Sequence, residues 1–114
     1  MKLEEICSVL NGTVVCGSDR ADREVTHAFA SDLMSDVLTV NCNNLLLITG
    51  LANLQTIRTA EMSDIDCILF VRNKSVTPEM KKLAEELGMT LITCPRTMFR
   101  ASGELYRAGI KPLF

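Results

Sequence analysis

The 114-residue sequence lacks the features of membrane, secreted and nucleic-acid-binding proteins. It has no tryptophan, a single histidine, and 12 basic against 14 acidic residues, which give a net charge of -2. No apolar run is long enough to cross a bilayer, and the N-terminal MKLEEICSVLNG has two adjacent acidic residues, unlike a signal peptide. Because there is no basic stripe and no aromatic platform, we expect no nucleic-acid partner and no membrane association.

Metal-binding patterns are missing as well. The five cysteines are odd in number and widely spaced, and no Cys-x-x-Cys pair occurs, whereas zinc sites usually draw on one close ligand pair. This usage is typical of reduced thiols in the cytosol, so we expect a cytoplasmic protein with no metal and no other cofactor. We expect Cys16, Cys67 and Cys94 to be small buried hydrophobic residues at strand ends.

The sequence contains none of the catalytic motifs with a known mechanism. No Gly-Lys pair occurs, which excludes a phosphate-binding P-loop, and the patterns GxGxxG and GxSxG are absent. The only histidine, His27, falls inside a predicted strand with no obvious nucleophile beside it. Such a histidine is typically a hydrogen-bonded structural residue, and the alternative is a ligand contact or a titratable switch. We therefore expect a protein that is not an enzyme.

The pattern of apolar residues predicts alternating strands and helices. We predict strands at residues 13–16, 25–30, 45–49, 66–72 and 90–93. We predict helices at residues 2–10, 32–38, 52–62, 78–87 and 97–107. Continuously apolar strands joined by helices are typical of parallel sheets. The predicted fold is a single α/β domain over residues 1–114, with a mostly parallel five-stranded sheet flanked by helices on both faces.

Local signals add detail to the helices. The fourth helix has the clearest limits, because Thr77 is a good N-cap, Pro78 suits the first helical position and Gly88 fits just beyond the end. Apolar spacing predicts which other helical residues face the core. These are Leu33, Val37 and Leu38 in the second helix, Leu54, Ile57 and the further candidate Met62 in the third, and Met98 or Phe99 in the last.

The polar segment 18–36 carries the most informative motif. Two Asp-Arg pairs precede the second predicted strand, and here the sequence resembles a DRTGG domain, with Asp22, Arg23 and Thr26 at motif positions. The similarity continues through ASDLMSDVL, LLLITG, the NLQTI helix and the closing stretch 77–110, so it covers nearly the whole chain. The paired glycines of the family fall at His27 and Ala28. The resemblance implies a stand-alone DRTGG domain.

The family resemblance implies regulation rather than catalysis. DRTGG domains occur within phosphate acetyltransferases, between CBS repeats of regulated pyrophosphatases, and as small separate proteins, some of them linked to iron-only hydrogenase systems. They are also similar to the N-terminal domain of HPr kinase/phosphorylase. The phosphate-binding loop that the kinase chemistry requires is missing from this chain. The resemblance therefore implies a regulatory domain, often engaged in dimer contacts.

Our leading hypothesis is a homodimeric module that senses a nucleotide or another anionic metabolite. In open parallel sheets, ligands bind beyond the carboxyl ends of the strands, where helix N-termini offer unpaired amides. Arg23, Arg58 or Arg96 could supply positive charge to a phosphate. The predicted ligand-binding residues are Asp22, Arg23, Thr26, His27, Ser31, Asp32, Thr49, Gly50, Asn53 and Gln55.

Two alternatives belong to other classes. The first is a protein–protein interaction subunit without a small-molecule ligand, for example an accessory to a hydrogenase or another energy-metabolism complex, with the tail KPLF as an apolar contact. The second is a small metal-dependent enzyme that uses Asp32 and Asp36, which lie at helical spacing. Acidic residues in a first helical turn are more often stabilised there by the helix dipole, which favours a structural role for this pair.

Overall fold

The computed structural model describes all residues from Met1 to Phe114 as alternating strands and helices. The strands are β1 (Thr13–Cys16), β2 (His27–Ala30), β3 (Leu45–Thr49), β4 (Cys67–Phe70), β5 (Thr90–Thr93) and β6 (Lys111–Pro112). The α-helices are α1 (Leu3–Leu10), α2 (Met34–Val37), α3 (Leu54–Met62), α4 (Pro78–Leu87) and α5 (Met98–Arg107). A single 3₁₀ turn spans Ser18–Arg20. None of these helices combines the length and the apolar character needed to span a membrane.

The strands form one mixed sheet in the order β1-β5-β4-β3-β2-β6. The expectation of five strands was wrong in number, because Lys111–Pro112, at the start of the KPLF tail, adds a short sixth strand parallel to β2. The sheet is also mixed, because β1 pairs antiparallel with β5 while the other strand pairs are parallel. The sequence reveals neither feature, since a two-residue strand has no periodicity and the four residues of β1 do not show which strand they pair with.

Two hydrophobic clusters lie on opposite faces of the sheet. Helices α2, α3 and α4 cover one face, where Leu47 and Phe70 are completely buried. Helices α1 and α5 cover the other face, around Leu46 and Leu69. Because alternate residues of β3 and β4 serve opposite faces, both strands are apolar at every position. This confirms the prediction of helices on both faces of the sheet.

Helix boundaries follow the capping signals of the sequence. The Thr77 hydroxyl accepts a hydrogen bond from the Met80 amide, Pro78 begins α4, and Gly88 ends it in the left-handed conformation at φ 70°. The Thr97 hydroxyl caps α5 in the same way, through the Arg100 amide. These caps confirm the helix limits that the capping residues of the sequence predict.

Four of the expected buried side chains are exposed. Leu33 and Leu38 flank α2, which is only one turn long; Val37 is buried as predicted, and Met34 is buried beside it. In α3, Ile57 is buried as predicted, but Leu54 is 41% and Met62 is 71% exposed, because Thr56, Thr59 and Ala60 take the inner face. In α5, Met98 rather than Phe99 packs against the core. Apolar spacing therefore misled where a helix is short or where small polar residues are buried.

Candidate functional site

The fold separates the predicted site residues into two groups at opposite ends of the strands. We call the end at which the parallel strands β2 to β5 finish the carboxyl edge, and the end at which they start the amino edge. Asp22, Arg23, Thr26 and His27 lie at the amino edge. Ser31, Asp32, Thr49, Gly50, Asn53 and Gln55 lie at the carboxyl edge. The two groups cannot line a single pocket.

At the amino edge, Arg23 is a connector between loops. Its guanidinium donates hydrogen bonds to the Asp66 carbonyl at 3.1 Å and to the Gly88 carbonyl at 2.6 Å. A weak ion pair to the Asp66 carboxylate adds to these bonds at 4.0 Å. The same side chain lies near the Cys67 thiol, whose pKa is raised by burial although Arg23 opposes that increase. The donors of Arg23 are thus directed at the protein itself.

The other amino-edge residues of the motif have few contacts. Asp22 is exposed and makes no side-chain hydrogen bond. The Thr26 hydroxyl lies 2.8 Å from Nδ1 of His27. A polar hollow of about 210 Å³ lies beside them, and its lining includes three acidic residues. Those residues are Glu24, Asp64 and Asp66. The hollow is therefore unsuited to an anion.

At the carboxyl edge, Asp32 organises the ends of β2 and β3. Its Oδ1 atom accepts hydrogen bonds from the Thr49 hydroxyl at 2.9 Å and from the Gly50 amide at 2.6 Å. Thr49 is completely buried, whereas Asp32 is exposed. A Cβ atom on Gly50 would lie 3.5 Å from both carboxylate oxygens of Asp32, an ordinary van der Waals distance. The Oδ2 atom remains free to accept a hydrogen bond from a ligand.

The neighbouring predicted residues mostly serve the local structure. Asn53 caps α3 by accepting a hydrogen bond from the Thr56 amide at 2.9 Å. The Ser31 hydroxyl accepts one from the Leu33 amide at 3.0 Å. Gln55 is exposed on the first turn of α3 and makes no side-chain hydrogen bond. Of this group, Asp32, Asn53 and Gln55 keep side-chain polar atoms without a hydrogen-bond partner in the chain.

Two basic loops lie further along the carboxyl edge, after β4 and β5. The Arg72 amide donates to the Arg96 carbonyl at 2.8 Å, and the Asn73 amide donates to the Cys94 carbonyl at 2.9 Å. These bonds hold the loops side by side and bring the two arginines together. Arg72 and Asn73 both have left-handed backbones, at φ 61° and 54°. From the sequence, Arg96 is only a possible positive charge and Arg72 has no predicted role, because nothing in the sequence shows that the two loops pair.

The guanidinium groups of these arginines make no hydrogen bond within the chain, and Nε of Arg96 is buried without a partner. Glu104 lies 3.8 Å from Nε of Arg96 but is hydrogen-bonded at 2.8 Å to Arg100. One carboxylate therefore faces two arginines. This leaves excess positive charge at the start of α5.

The strand order places a typical ligand-binding position of α/β sheets at the carboxyl ends of β4 and β5. Helix α4 follows β4 onto one face, whereas α5 follows the adjacent strand β5 onto the other face. Ligands of open α/β sheets bind outside the carboxyl ends of strands where the connections diverge in this manner. The β4–β5 position at the carboxyl edge therefore combines two arginines with the topology expected of a ligand site.

Charge is distributed unequally between the two edges. The loops of the carboxyl edge carry three basic residues and one acidic residue, namely Arg72, Lys74, Arg96 and Asp32. The loops of the amino edge carry five acidic and two basic residues, namely Asp19, Asp22, Glu24, Asp64, Asp66, Arg20 and Arg23. An anion is accordingly attracted to the carboxyl edge and repelled from the amino edge.

The cysteines and acidic residues show no metal centre. All five cysteines are free, and Cys16, Cys67 and Cys94 are buried at or beside strand ends, as predicted. Burial raises the pKa of the thiols of Cys16 and Cys94. No three side chains of the metal-binding types lie together, and Asp36 is exposed on α2 while Asp32 is engaged with β3.

The sequence and the fold match known proteins as follows. The family model of the DRTGG domain matches residues 5–108. No curated protein sequence matches the chain. A crystal structure of the CBS and DRTGG domains from the regulatory region of Clostridium perfringens pyrophosphatase, complexed with the activator diadenosine tetraphosphate, has a similar fold. The TM-score is 0.77 at 14% identity, over 96% of this chain and 47% of that one.

The chain thus spans about half the length of that regulatory region. At this identity the likeness is one of fold. Neither comparison shows a catalytic family.

Proposed function

The chain belongs to the DRTGG domain family, and we propose that it is a non-catalytic regulatory module that binds a nucleotide along its carboxyl edge and forms a homodimer. The observation that carries the proposal is the polarity of that edge. A hydrogen-bond acceptor stands at its β2–β3 end, and at its β4–β5 end stand two arginines whose guanidinium groups donate no hydrogen bond within the chain. A nucleotide has the matching polarity, with hydroxyl donors at one end and phosphates at the other.

Asp32 supports the sugar end of this arrangement. Its Oδ1 atom is held by Thr49 and Gly50, so the carboxylate is oriented before any ligand arrives. The free Oδ2 atom can accept hydrogen bonds from ribose hydroxyls, a role that carboxylates near strand ends serve in other nucleotide-binding folds. A negative charge here also disfavours a phosphate, which fixes the direction in which the nucleotide lies.

Arg72 and Arg96 support the phosphate end. Arginine binds phosphate in a bidentate manner, and the first turns of α4 and α5 add the positive ends of two helix dipoles. From the β2 loop to the β5 loop the edge crosses three strand spacings, or roughly 14 Å. An extended nucleoside polyphosphate can bridge a gap of this size, which favours it over a small anion.

The nucleotide regulator of the similar pyrophosphatase region agrees with this ligand class. That structure is complexed with diadenosine tetraphosphate, which is a nucleotide activator of that protein. In the present chain, no group is placed to carry out chemistry on a ligand, because Asp32 is anchored and the only histidine lies at the opposite edge. Ligand sensing is therefore the function that these contacts favour.

The proposal can be tested by isothermal titration with ATP, adenosine and inorganic triphosphate. We expect ATP to bind more tightly than either fragment. Arg96→Gln should weaken ATP and triphosphate about tenfold each, the value of one charge-assisted hydrogen bond of ~1.5 kcal/mol. Asp32→Asn should weaken ATP but leave triphosphate binding unchanged or stronger.

A matched control separates this site from general electrostatics. Lys82→Gln removes one positive charge from the exposed face of α4, away from the edge loops, and should leave all three affinities unchanged. Absence of ATP binding by the wild-type protein would refute the proposal. Equal losses in Arg96→Gln and Lys82→Gln would show that only net charge matters, and would refute the site.

One observation favours protein contact as a second function. Phe99 is 91% and Tyr106 is 68% exposed on α5, far more than a side chain of these types usually is in an isolated domain. Large exposed apolar patches mark interaction surfaces. The interaction-subunit hypothesis thus has a physical basis on this helix, whereas the metal-dependent enzyme has none.

A further inference from the structure

The face of the sheet that carries α1 and α5 is incompletely covered at its β2–β6 end. Packed helices lie about 8–10 Å apart, roughly two strand spacings, so two helices cover about four strands. Only α1 and α5 pack on this face of the six-stranded sheet. An open space therefore remains between α5 and the β2–β6 end.

An apolar cleft of about 120 Å³ occupies this space. Its sheet wall includes Ala28 and Ala30 of β2 and Ile48 of β3, and its helix wall includes Leu105 and Tyr106 of α5. Because alternate residues of a strand share a face, both alanines turn their methyl groups toward α5. Their small size keeps the cleft open where larger strand residues would fill it.

One polar atom is buried at the helix wall of the cleft. The Oγ atom of Ser102 is shielded from solvent and has no hydrogen-bond partner. Nearly all buried hydroxyl groups in folded proteins are paired, because an unpaired one is destabilising. A buried water needs about two to four polar partners, and the other polar side chains of the lining, Tyr106 and Lys111, are exposed. The unpaired hydroxyl therefore indicates a ligand group rather than a water site.

From these features we propose that the cleft binds a small neutral molecule with one planar ring and one hydroxyl group, a compound of the phenol class. The ligand hydroxyl pairs with Ser102 Oγ, and the ring lies between the alanines of β2 and the side chains of Leu105 and Tyr106. An apolar cavity of about 150 Å³ is known to bind benzene, so a cleft of this size suits a single ring. Contact with the Tyr106 ring favours a planar aromatic ligand over an aliphatic one.

The charge of the lining favours a neutral ligand. No acidic side chain lines the cleft, and its one basic residue is Lys111. Lys111 pairs with His27, one position before the pair of Ala28 with Pro112. Because strand side chains alternate, the ammonium group of Lys111 points to the other face of the sheet. No charge within the cleft is thus available to an ionic ligand.

This site goes beyond the proposed nucleotide site, because the cleft is lined by none of the carboxyl-edge loop residues. Asp32 is held by the hydroxyl of Thr49, the residue that follows Ile48 in β3. The side chains of Ile48 and Thr49 point to opposite faces of the sheet. The two sites can therefore be tested separately.

Titration with phenol and toluene, followed in ¹H–¹³C spectra of the methyl groups, tests the proposal. The two probes have nearly the same shape and differ in a hydroxyl against a methyl group. We expect phenol to shift the methyl signals of Ala28, Ala30, Ile48 and Leu105 and to bind about tenfold more tightly than toluene. Ser102→Ala should remove this preference and leave toluene binding unchanged. Ala30→Leu should abolish the binding of both probes, because the larger side chain fills the cleft.

Ala108→Leu is the matched control, since it makes the same substitution at an exposed position outside the cleft. It should bind phenol as the wild type does, and circular dichroism establishes that each variant is folded. The proposal is overturned if phenol shifts none of these methyl signals in the wild type. Phenol binding that persists in Ala30→Leu, or equal affinities of the wild type for phenol and toluene, would overturn it as well.

ATP titration of Ala30→Leu keeps this proposal apart from the nucleotide site. We expect this variant to bind ATP with the affinity of the wild type while it no longer binds phenol. Loss of both ligands in Ala30→Leu would show one shared site and overturn the separate cleft. A wild-type protein that binds phenol but not ATP would refute only the nucleotide site.

Discussion

The Arg23 guanidinium joins segments that are far apart in the sequence. It donates hydrogen bonds to the carbonyls of Asp66 and Gly88. The backbone carbonyl of Arg23 accepts a hydrogen bond from the Leu3 amide at the start of α1. The motif resemblance and the positive charge of this arginine predict a ligand contact. Its partners became visible only once the chain brought the loops together, so the structure favours a structural role for the motif arginine.

Replacement of Arg23 should therefore cost stability. Hydrogen bonds from a charged donor contribute about 1.5–3 kcal/mol each, so we expect Arg23→Ala to lower the free energy of unfolding by about 3 kcal/mol in urea denaturation. Arg23→Lys should recover part of this loss, because lysine keeps the charge but cannot reach two carbonyls with a planar fork. The adjacent exposed Asp22 provides a control, with Asp22→Ala within about 0.5 kcal/mol of wild type. A stability of Arg23→Ala equal to that of Asp22→Ala would contradict this role.

At the scale of secondary-structure elements, β1 is joined to the amino edge by a turn that has no room for a side chain. Gly17 follows β1 with φ 76°, and a Cβ atom there would lie 2.5 Å from the Met89 carbonyl oxygen and 2.9 Å from Thr90 Cα. Both obstacles are backbone atoms of the segment that enters β5. The antiparallel pairing of β1 with β5 therefore depends on glycine at this position.

Gly17→Ala should be among the most damaging small substitutions. The left-handed backbone costs about 1–2 kcal/mol for a residue with a Cβ atom, and the clash with the backbone adds to it, so we expect a loss of more than ~2 kcal/mol. Ser18→Ala, at the neighbouring exposed position, should change stability by no more than about 0.5 kcal/mol. Thermal unfolding followed by circular dichroism measures both, and similar melting temperatures for the two variants would disprove the steric argument.

The elements also show what the sequence could predict. Capping residues and continuous apolar runs located α4, β3 and β5 almost to the residue, because these signals are local. The two-residue strand β6 and the exposure of Leu33 depend on contacts with distant parts of the chain, which no local pattern encodes. The candidate site was likewise predictable only where local patterns define it. Asp32 and Gly50 were predicted from their place after strands, whereas the pairing of Arg72 with Arg96 needed the strand order.

At the scale of the whole molecule, the two edges of the sheet differ in charge, and its two faces differ in the number of helices that cover them. The unequal charge of the sheet edges directs an anion to one end of the strands. The unequal number of helices on the two faces leaves one face open at the β2–β6 end. Each asymmetry is built from ordinary elements, and neither is required for folding.

The most direct test of the central claim is a titration of the uniformly ¹⁵N-labelled protein with ATP, followed in two-dimensional ¹H–¹⁵N spectra. We expect the amide signals of the carboxyl-edge loops to shift, at residues 31–33, 50–53, 71–77 and 94–97. Signals of the amino-edge segments 17–26 and 63–66 should remain in place. An unchanged spectrum, or shifts confined to the amino edge, would contradict the assignment of a nucleotide site to the carboxyl edge.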